Sequence, residues 1–378
     1  MKVIVLGAGL VGSPMAIDLA KDERFNVTVA DINEEALQKL SSQFPIQVLK
    51  EDLSNPDNVA RIVYGYDMVV NAVPGFMGFQ TFKAIIAAGR NVVDIAFFIE
   101  DPFQVDALAK SKNVTAIMDC GVAPGMCNIL IGYASQILDE TDNVVYYVGG
   151  LPEIREWPYE YKAVFSPIDV IEEYTRPSRY IENGIPVVRP ALSDPELMNF
   201  PGVGTLEAFN TDGLRSLTST IKAKNMKEKT LRYPGHIEKM AVLRETGFFD
   251  TEPVEVGGQL IRPIDMTAKL LFPKWKLKEG EVDITVMKVV VEGKKKGRRI
   301  KYTFDLLDKY DPETKIHSMA RTTGYTATVA LRMIADGVYT RKGVSVPEFI
   351  GQDPKCVKYM LAGLKERGVI YKEQLEML

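Results

Sequence analysis

The chain has 378 residues, 46% hydrophobic and 25% charged, which is enough for two separately cored domains and too apolar for a disordered chain. A formal net charge of −4 argues against a general attraction to nucleic acid or to an anionic membrane, so a small molecule is the expected partner. Three cysteines, Cys120, Cys127 and Cys356, form no CxxC pair; neither a disulfide framework nor a metal site is expected, and a reducing cytoplasm fits.

The opening run MKVIVLGAGLVGSPMAIDLAKD is interrupted by Asp18, Lys21 and Asp22 and has no cleavage site after a basic start, so it reads as neither signal peptide nor membrane span. From Lys2 to Asp119, short Val- and Ile-rich runs alternate with turns and helically spaced segments. KVIVLG, NVTVAD, IQVLKED, DMVVNAVP, NVVDIA and VTAIMDC are the strand candidates, and the pattern predicts an α/β fold with a Rossmann-like doubly wound parallel sheet. Ligands of such sheets bind beyond the carboxyl ends of the strands, where Asp31, Asn71, Pro74, Asp94, Asp119 and Cys120 fall.

GAGLVG, Gly7 to Gly12, follows a strand and opens a helix, the context in which GxGxxG binds a dinucleotide. Gly7 permits the tight turn, Gly9 the approach of a pyrophosphate, and Gly12 close helix–sheet packing. Gly7, Gly9, Leu10, Val11 and Gly12 are therefore assigned to the cofactor. Asp31, nineteen residues after Gly12, is placed to accept from ribose hydroxyls and to repel a 2′-phosphate, which predicts NAD over NADP; Arg24 and Lys50 would weaken that preference. Asn71, Val73 and Pro74 in NAVPG are expected on the nicotinamide side. Asp52 reads either as an adenine-side cap or as a plain loop carboxylate.

After Gly121 the pattern changes. APGMCNILIGYASQIL reads as a helix and NVVYYVGG as a strand, and residues 151–204, rich in Pro, Tyr, Trp and Arg, read as a long irregular stretch. Strand alternation returns from Leu260 to Leu307. The charge run GKKKGRRIK reads as a solvated hairpin tip, and TTGYTATVALRMIADG as a helix stopped at Gly337. A second α+β domain is expected over 122–318, with joints near 121–125 and 321–324.

EAFNTDGLRSL, Glu207 to Leu217, admits two readings. One is a helix start, with Thr211 as N-cap and Asp212 paired to Arg215; the other is a clamp for a charged substrate.

Together, VLGAGLVG, VVDIAF, MDCGVAPGMCNIL, VFSPIDVIEEYTRP, EAFNTDGLRSL, RYPGHIEKM and TTGYTATVALRMIADG resemble the saccharopine dehydrogenase family, within it the shorter lysine 6-dehydrogenase-like members. The resemblance implies a cofactor domain over 1–121 completed by helices in 319–378. It further implies a mixed-sheet substrate and dimerisation domain over 122–318, a homodimer or higher homo-oligomer, and oxidation at a carbon bearing an amine. The substrate it implies is L-lysine, yielding 2-aminoadipate 6-semialdehyde and ammonia, with saccharopine reductase and carboxynorspermidine dehydrogenase as alternatives. A non-catalytic NAD-responsive binding protein is the rival from another class.

Such a reaction needs a base near neutrality, for which Asp94, Asp119 and His236 are the candidates. Cys120 reads as a packed wall, since amine oxidation needs no thiol. A free amino acid needs a cation for its carboxylate. Arg176, Arg179 and Arg215 are candidates, supported by Tyr174 and by Thr211 and Asp212, with Glu207 or Asp212 for the ammonium. A larger substrate would need a further cation, such as Arg155, Lys162 or Arg189.

Overall fold

The structure is a computed structural model that describes residues 1–164, 167–278 and 280–378. Phe165 and Ser166 of the VFSPIDVIEEYTRP stretch lie outside the described residues. The chain divides into two units, 1–137 with 320–370, and 138–319 with 371–378.

The first unit begins with β1 (Lys2–Leu6), α1 (Gly12–Ala20), β2 (Asn26–Asp31), α2 (Glu34–Gln43), β3 (Gln47–Lys50) and α3 (Pro56–Val63). It continues with β4 (Met68–Asn71), α4 (Gly75–Ala87), β5 (Asn91–Asp94), α5 (Asp106–Ser111), β6 (Thr115–Ile117) and α6 (Met126–Ile137). The strands pair in parallel; β1 and β4 are apolar and buried nearly throughout, as strands covered on both faces must be. Side chains set the starts of α2 and α3, where Asn33 and Asn55 accept from the N–H groups of Ala36 and Asp57.

The second unit holds β7 (Glu140–Pro152), α7 (Pro167–Thr175), β8 (Ser178–Glu182), β9 (Ile185–Arg189), β10 (Glu196–Phe200), β11 (Gly204–Asn210) and α8 (Leu217–Thr220). After these come β12 (Asn225–Arg232), α9 (His236–Glu245), β13 (Val254–Val256), β14 (Gln259–Ile261), α10 (Pro263–Trp275), β15 (Asp283–Lys295) and β16 (Arg298–Lys309). The stretch 151–204, expected to be irregular, thus contains a helix and three strands. Most side chains of β9 and β10 are exposed, so no apolar alternation marks them. The charge run is a hairpin tip: Lys295 faces Arg298 across a two-residue turn in which Lys296 and Gly297 have φ of 50° and 76°.

Helix α11 (Ser318–Ala335) starts in the second unit, where Asp283 accepts from the N–H groups of Ser318 and Met319 at 2.7 and 2.9 Å. Then β17 (Gly343–Ser345) joins β6 as the seventh parallel strand, followed by α12 (Pro347–Gly351) and α13 (Pro354–Glu366). Finally β18 (Tyr371–Met377) pairs with β16. The sheets have the orders β17-β6-β5-β4-β1-β2-β3 and β10-β11-β12-β7-β15-β16-β18, with β8 and β9 attached to the second through β12.

Two boundaries differ from expectation. The first unit runs through α6 to Ile137 rather than ending at 121, so the expected joint at 121–125 lies inside it. The cause is the close approach of α6 and α12: a Cβ on Gly132 would stand 2.4 Å from Glu348 O, and one on Gly351 2.1 Å from Ile129 O. Residues 371–378, expected in the cofactor domain, belong to the second unit as a strand.

Within the first unit, the C-terminal helices are tied to α1 by one buried carboxylate. Asp18 accepts from Arg332 Nη1 at 2.7 Å, Thr328 Oγ1 at 2.5 Å and Arg367 Nε at 2.8 Å. Among the described residues no helix is long and apolar enough to cross a membrane. Asp18→Ala would remove the carboxylate shared by two shielded guanidinium groups, leaving Arg332 only the Asp22 carboxylate at 3.4 Å, so a loss of about 3–5 kcal/mol is expected, read as a lower urea midpoint.

Candidate cofactor and substrate sites

The GAGLVG turn has the geometry its spacing promised. Gly7 has φ +109° and its Cβ would stand 2.7 Å from Ala72 O, while a Cβ on Gly12 would stand 2.1 Å from Gly7 O. At Gly9 a Cβ meets nothing within 4 Å. Two glycines therefore serve the fold, and the third leaves bare backbone before the N-terminus of α1, where Val11 is the N-cap and Leu10 is exposed. Asp31 closes this turn: its carboxylate accepts from Ala8 N at 2.6 Å and Asn33 N at 2.7 Å. Lys50, the register partner of Asp31, is engaged with Glu34 at 2.7 Å, whereas Arg24, expected to weaken the preference, lies before the opposite end of β2 and pairs with Asp22 and Asp336.

Asp52 takes the plainer of its two readings. It is exposed and accepts from Ser54 N and Oγ at 2.9 and 2.7 Å, closing its own loop. Asn71 is fully buried at the end of β4; its Nδ2 donates to Asp94 Oδ2 at 2.5 Å, and its Oδ1 has no hydrogen-bond partner among the described residues. Val73 is buried and Pro74 precedes α4. An orphaned amide oxygen at the strand ends and a glycine cradle at a helix N-terminus fit a pyridine dinucleotide.

Asp94 is fully buried and also accepts from Ala96 N at 2.8 Å. Asp119 is 2% exposed with a left-handed φ of 52°, uncommon for a non-glycine residue. Burial, then the Asp119 and Asp94 carboxylates, push the Cys120 thiol far up, so it is no nucleophile. Cys127 is core, its Sγ donating to Asn128 Oδ1. Among the described residues no group of three or more His, Cys, Asp or Glu is placed to hold a metal ion.

In the second unit the structure corrects the reading of EAFNTDGLRSL as a helix start. Residues through Asn210 form β11, and α8 begins only at Leu217. Thr211 caps nothing; its Oγ1 is held by Glu228 and Thr230. Asp212 pairs not with Arg215 but bidentately with Arg179, at 2.8 Å for each bond. Arg215 lies in the turn after Asp212 with φ 52°. Arg176 is ion-paired to Glu172, and Glu207 accepts from Gly235 N at 3.1 Å.

Tyr174 and His236 belong to a buried chain rather than to an open surface. His236 Nδ1 faces the Tyr159 carbonyl at 2.8 Å, an acceptor only, so Nδ1 carries the hydrogen and Nε2 accepts from Tyr174 Oη at 2.9 Å. Tyr174 Oη in turn accepts from Arg232 Nε at 3.3 Å, and Arg232 Nη2 donates to Glu173 at 2.5 Å. Burial, then the Arg232 charge, hold His236 down to about 3, so it stays neutral near pH 7 and the expected proton shuttle does not fit. Arg232, Glu173 and Glu228 were missed from sequence. The signal for Glu228 and Arg232 was the alternation Glu228, Thr230, Arg232 along one face of a strand.

The saccharopine dehydrogenase NADP binding domain matches residues 3–117, and the saccharopine dehydrogenase C-terminal domain matches 121–369. The chain belongs to the saccharopine dehydrogenase family. It is 23% identical over 449 residues to mitochondrial alpha-aminoadipic semialdehyde synthase of Bos taurus, covering 99% of this chain but only 48% of that protein. The chain therefore spans about half the length of that relative. Carboxyaminopropylagmatine dehydrogenase of a Synechocystis strain is 24% identical, with 98% of this chain and 97% of the relative covered. The fold matches apo saccharopine dehydrogenase (L-Glu forming) of Saccharomyces cerevisiae at a TM-score of 0.83, with 18% identity and 99% of both chains covered.

The glycine geometry separates fold from binding. Gly12→Ala, with its Cβ against backbone, should cost about 1–3 kcal/mol in stability as well as nucleotide affinity. Gly9→Ala should leave the melting temperature unchanged and weaken nucleotide binding at least about tenfold, measured by calorimetry.

Proposed function

We propose that this family member is an NAD-dependent dehydrogenase that oxidises the side-chain amine of a free amino acid, L-lysine, releasing ammonia. The observation that carries the substrate class is Arg215, a cation held at φ 52° in the turn beside the Arg179–Asp212 pair. A side chain kept in sparsely populated backbone is a candidate for recognition, and a guanidinium suits an α-carboxylate. The relatives named for alpha-aminoadipic semialdehyde and saccharopine support an amino-acid substrate.

The first unit's share is nucleotide binding through Gly7, Gly9, Leu10, Val11 and Gly12, with Asp31 for the ribose and Asn71, Val73 and Pro74 for the nicotinamide side. Asp31 favours NAD, although the matching domain is described as NADP binding. When bound, the nicotinamide supplies the hydride acceptor. Asp94 and Asp119 are the proposed proton acceptors, since an amine must be neutral before its carbon is oxidised. Tyr174 and His236 are positioning residues, their polar atoms being spent on one another and on Arg232.

A second reading, turnover of a secondary amine, draws on the near full-length match to carboxyaminopropylagmatine dehydrogenase. The cations considered for a second arm pair with carboxylates, Arg155 with Glu160, Lys162 with Glu156 and Glu281, and Arg189 with Glu182, so the substrate comparison below decides between the readings.

The deciding assay is reduced-nucleotide formation with lysine, saccharopine or carboxynorspermidine, each with NAD and with NADP. Lysine with NAD is the expected pair, and no turnover with any pair would leave a nucleotide-responsive binding protein. Arg215→Ala should raise KM for lysine by tens to thousands, the equivalent of about 2–5 kcal/mol for one partner of a shielded charge pair, and leave NAD affinity unchanged. Arg215→Lys should recover only part. Asp31→Ser should weaken NAD and relatively favour NADP. It should also loosen the glycine turn that Asp31 holds through Ala8.

A further inference from the structure

Beneath the 211–213 turn lies Glu228, a side chain of β12 that is 3% exposed. The turn covers it. Thr211 Oγ1 lies 2.5 Å from Glu228 Oε2, Gly213 N–H donates to the same oxygen at 3.1 Å, and Thr230 Oγ1 stands 3.5 Å from Oε1. A Cβ on Gly213 would stand 2.6 Å from the carboxyl carbon of Glu228, so only glycine lets the backbone come this close. Tyr146 Oη pins the turn from the other side by donating to Gly213 O at 2.5 Å. The carboxyl is thus shielded from water beneath the turn.

The charged and titratable groups around it are Glu173 of α7, Asp212 of the turn, Tyr146 of β7 and Tyr180 of β8, with Arg232 four residues along β12. Burial, then the Glu173 and Asp212 charges, push Glu228 up to about 8 against the lowering bonds from Thr211 and Gly213. Thr211 Oγ1 donates to Oε2 when the carboxyl is ionised; while Glu228 keeps its proton, below about pH 8, the same contact would reverse, Oε2–H donating to Thr211 Oγ1 and the threonine hydrogen turning to Thr230 Oγ1 at 2.8 Å.

We propose that Glu228 is the positioning residue of the turn that carries Asp212 and Arg215, latching it while protonated and giving up its proton when the turn lifts. Opening breaks one O–H bond, sends one proton to solvent and leaves a hydrated carboxylate. That the latched turn grips a substrate rests on the proposed function; the latch rests on the cover over Glu228.

The direction with pH follows from the two titrations. In the closed turn Glu228 titrates near 8, and opened to water it returns to its ordinary 4.5. Opening is then independent of pH below about 4.5, becomes about tenfold easier per pH unit between the two values, and levels off above about 8. The latch is strongest in acid and is lost as pH rises.

Hydrogen exchange of the amides in 209–217 in the whole protein, corrected for the intrinsic pH dependence of exchange, reads this directly. The expected result is protection that falls about tenfold per pH unit from pH 5 to 8, a flat profile in Glu228→Gln, which has the same shape and never ionises, and no such slope in the amides of β15. A flat parent profile, an unchanged slope in Glu228→Gln, or the same slope in β15 would overturn the latch. Should Glu228→Gln not fold, the parent's turn compared with β15 still decides. Added lysine tests the other reading separately: if it neither slows exchange of the turn nor is turned over, the substrate role of the turn falls, and the pH profile still decides the latch.

Discussion

Alternate side chains of β12 are polar and buried, and the second unit is organised by the need to satisfy them. Arg232 is the most demanding, because a desolvated guanidinium is tolerable only with a carboxylate and acceptors around it. Glu173 meets the charge, the Leu231 carbonyl takes one N–H, and Tyr174 takes another. These contacts bring the last turn of α7 to the sheet. The chain then runs from Tyr174 to His236 and so fixes the start of α9. Glu228 does the same for the turn after β11. The turn that presents Asp212 and Arg215 is thus held from below by polar groups whose satisfaction is directional, which restricts its geometry more closely than apolar packing would.

How much of this is legible in the sequence depends on how far apart the interacting residues lie. The βα series, the glycine turn, the hairpin tip at Lys296-Gly297 and the stop at Gly337 are local, and each was readable from neighbouring residues. Thr211 was not, because a hydroxyl residue before Asp and Gly looks the same whether it caps a helix or ends a strand. Here pairing of β11 with β10 and β12 decides. The partner of Asp212 is Arg179, thirty-three positions away, whereas a reading by helical spacing favours Arg215. The alternation of Glu228 and Arg232 misleads in the same way: a strand with polar residues at every second position reads as solvent-facing, and only the cover by α7, α9 and the turn reverses it.

The first unit solves a different problem, that of holding α1 still. Its N-terminal end is set by backbone contact, Gly12 against Gly7, and farther along it is set by Asp18 against Arg332 and Arg367. The helix that offers its N–H groups to a nucleotide is therefore fixed at its start by the glycine turn just before it and farther along by arginines remote in sequence. Asp31 adds a third fixed point through Ala8, so a residue assigned to the ribose on sequence grounds is also part of the turn's scaffold.

The chain passes between the two units three times, after Ile137, after Met319 and after Ile370. This sets an order on assembly as the polypeptide is made. Residues 1–137 emerge first, but β6 then lacks its outer neighbour β17, and Asp18 lacks both of its arginines. Residues 138–319 follow and complete all of their sheet except β18. Only with 320–370 does the first sheet gain its seventh strand, after which the last strand must return to β16. The unit that is begun first is finished almost last, and until then it carries an uncovered strand edge and an uncompensated carboxylate while the second unit folds in its midst.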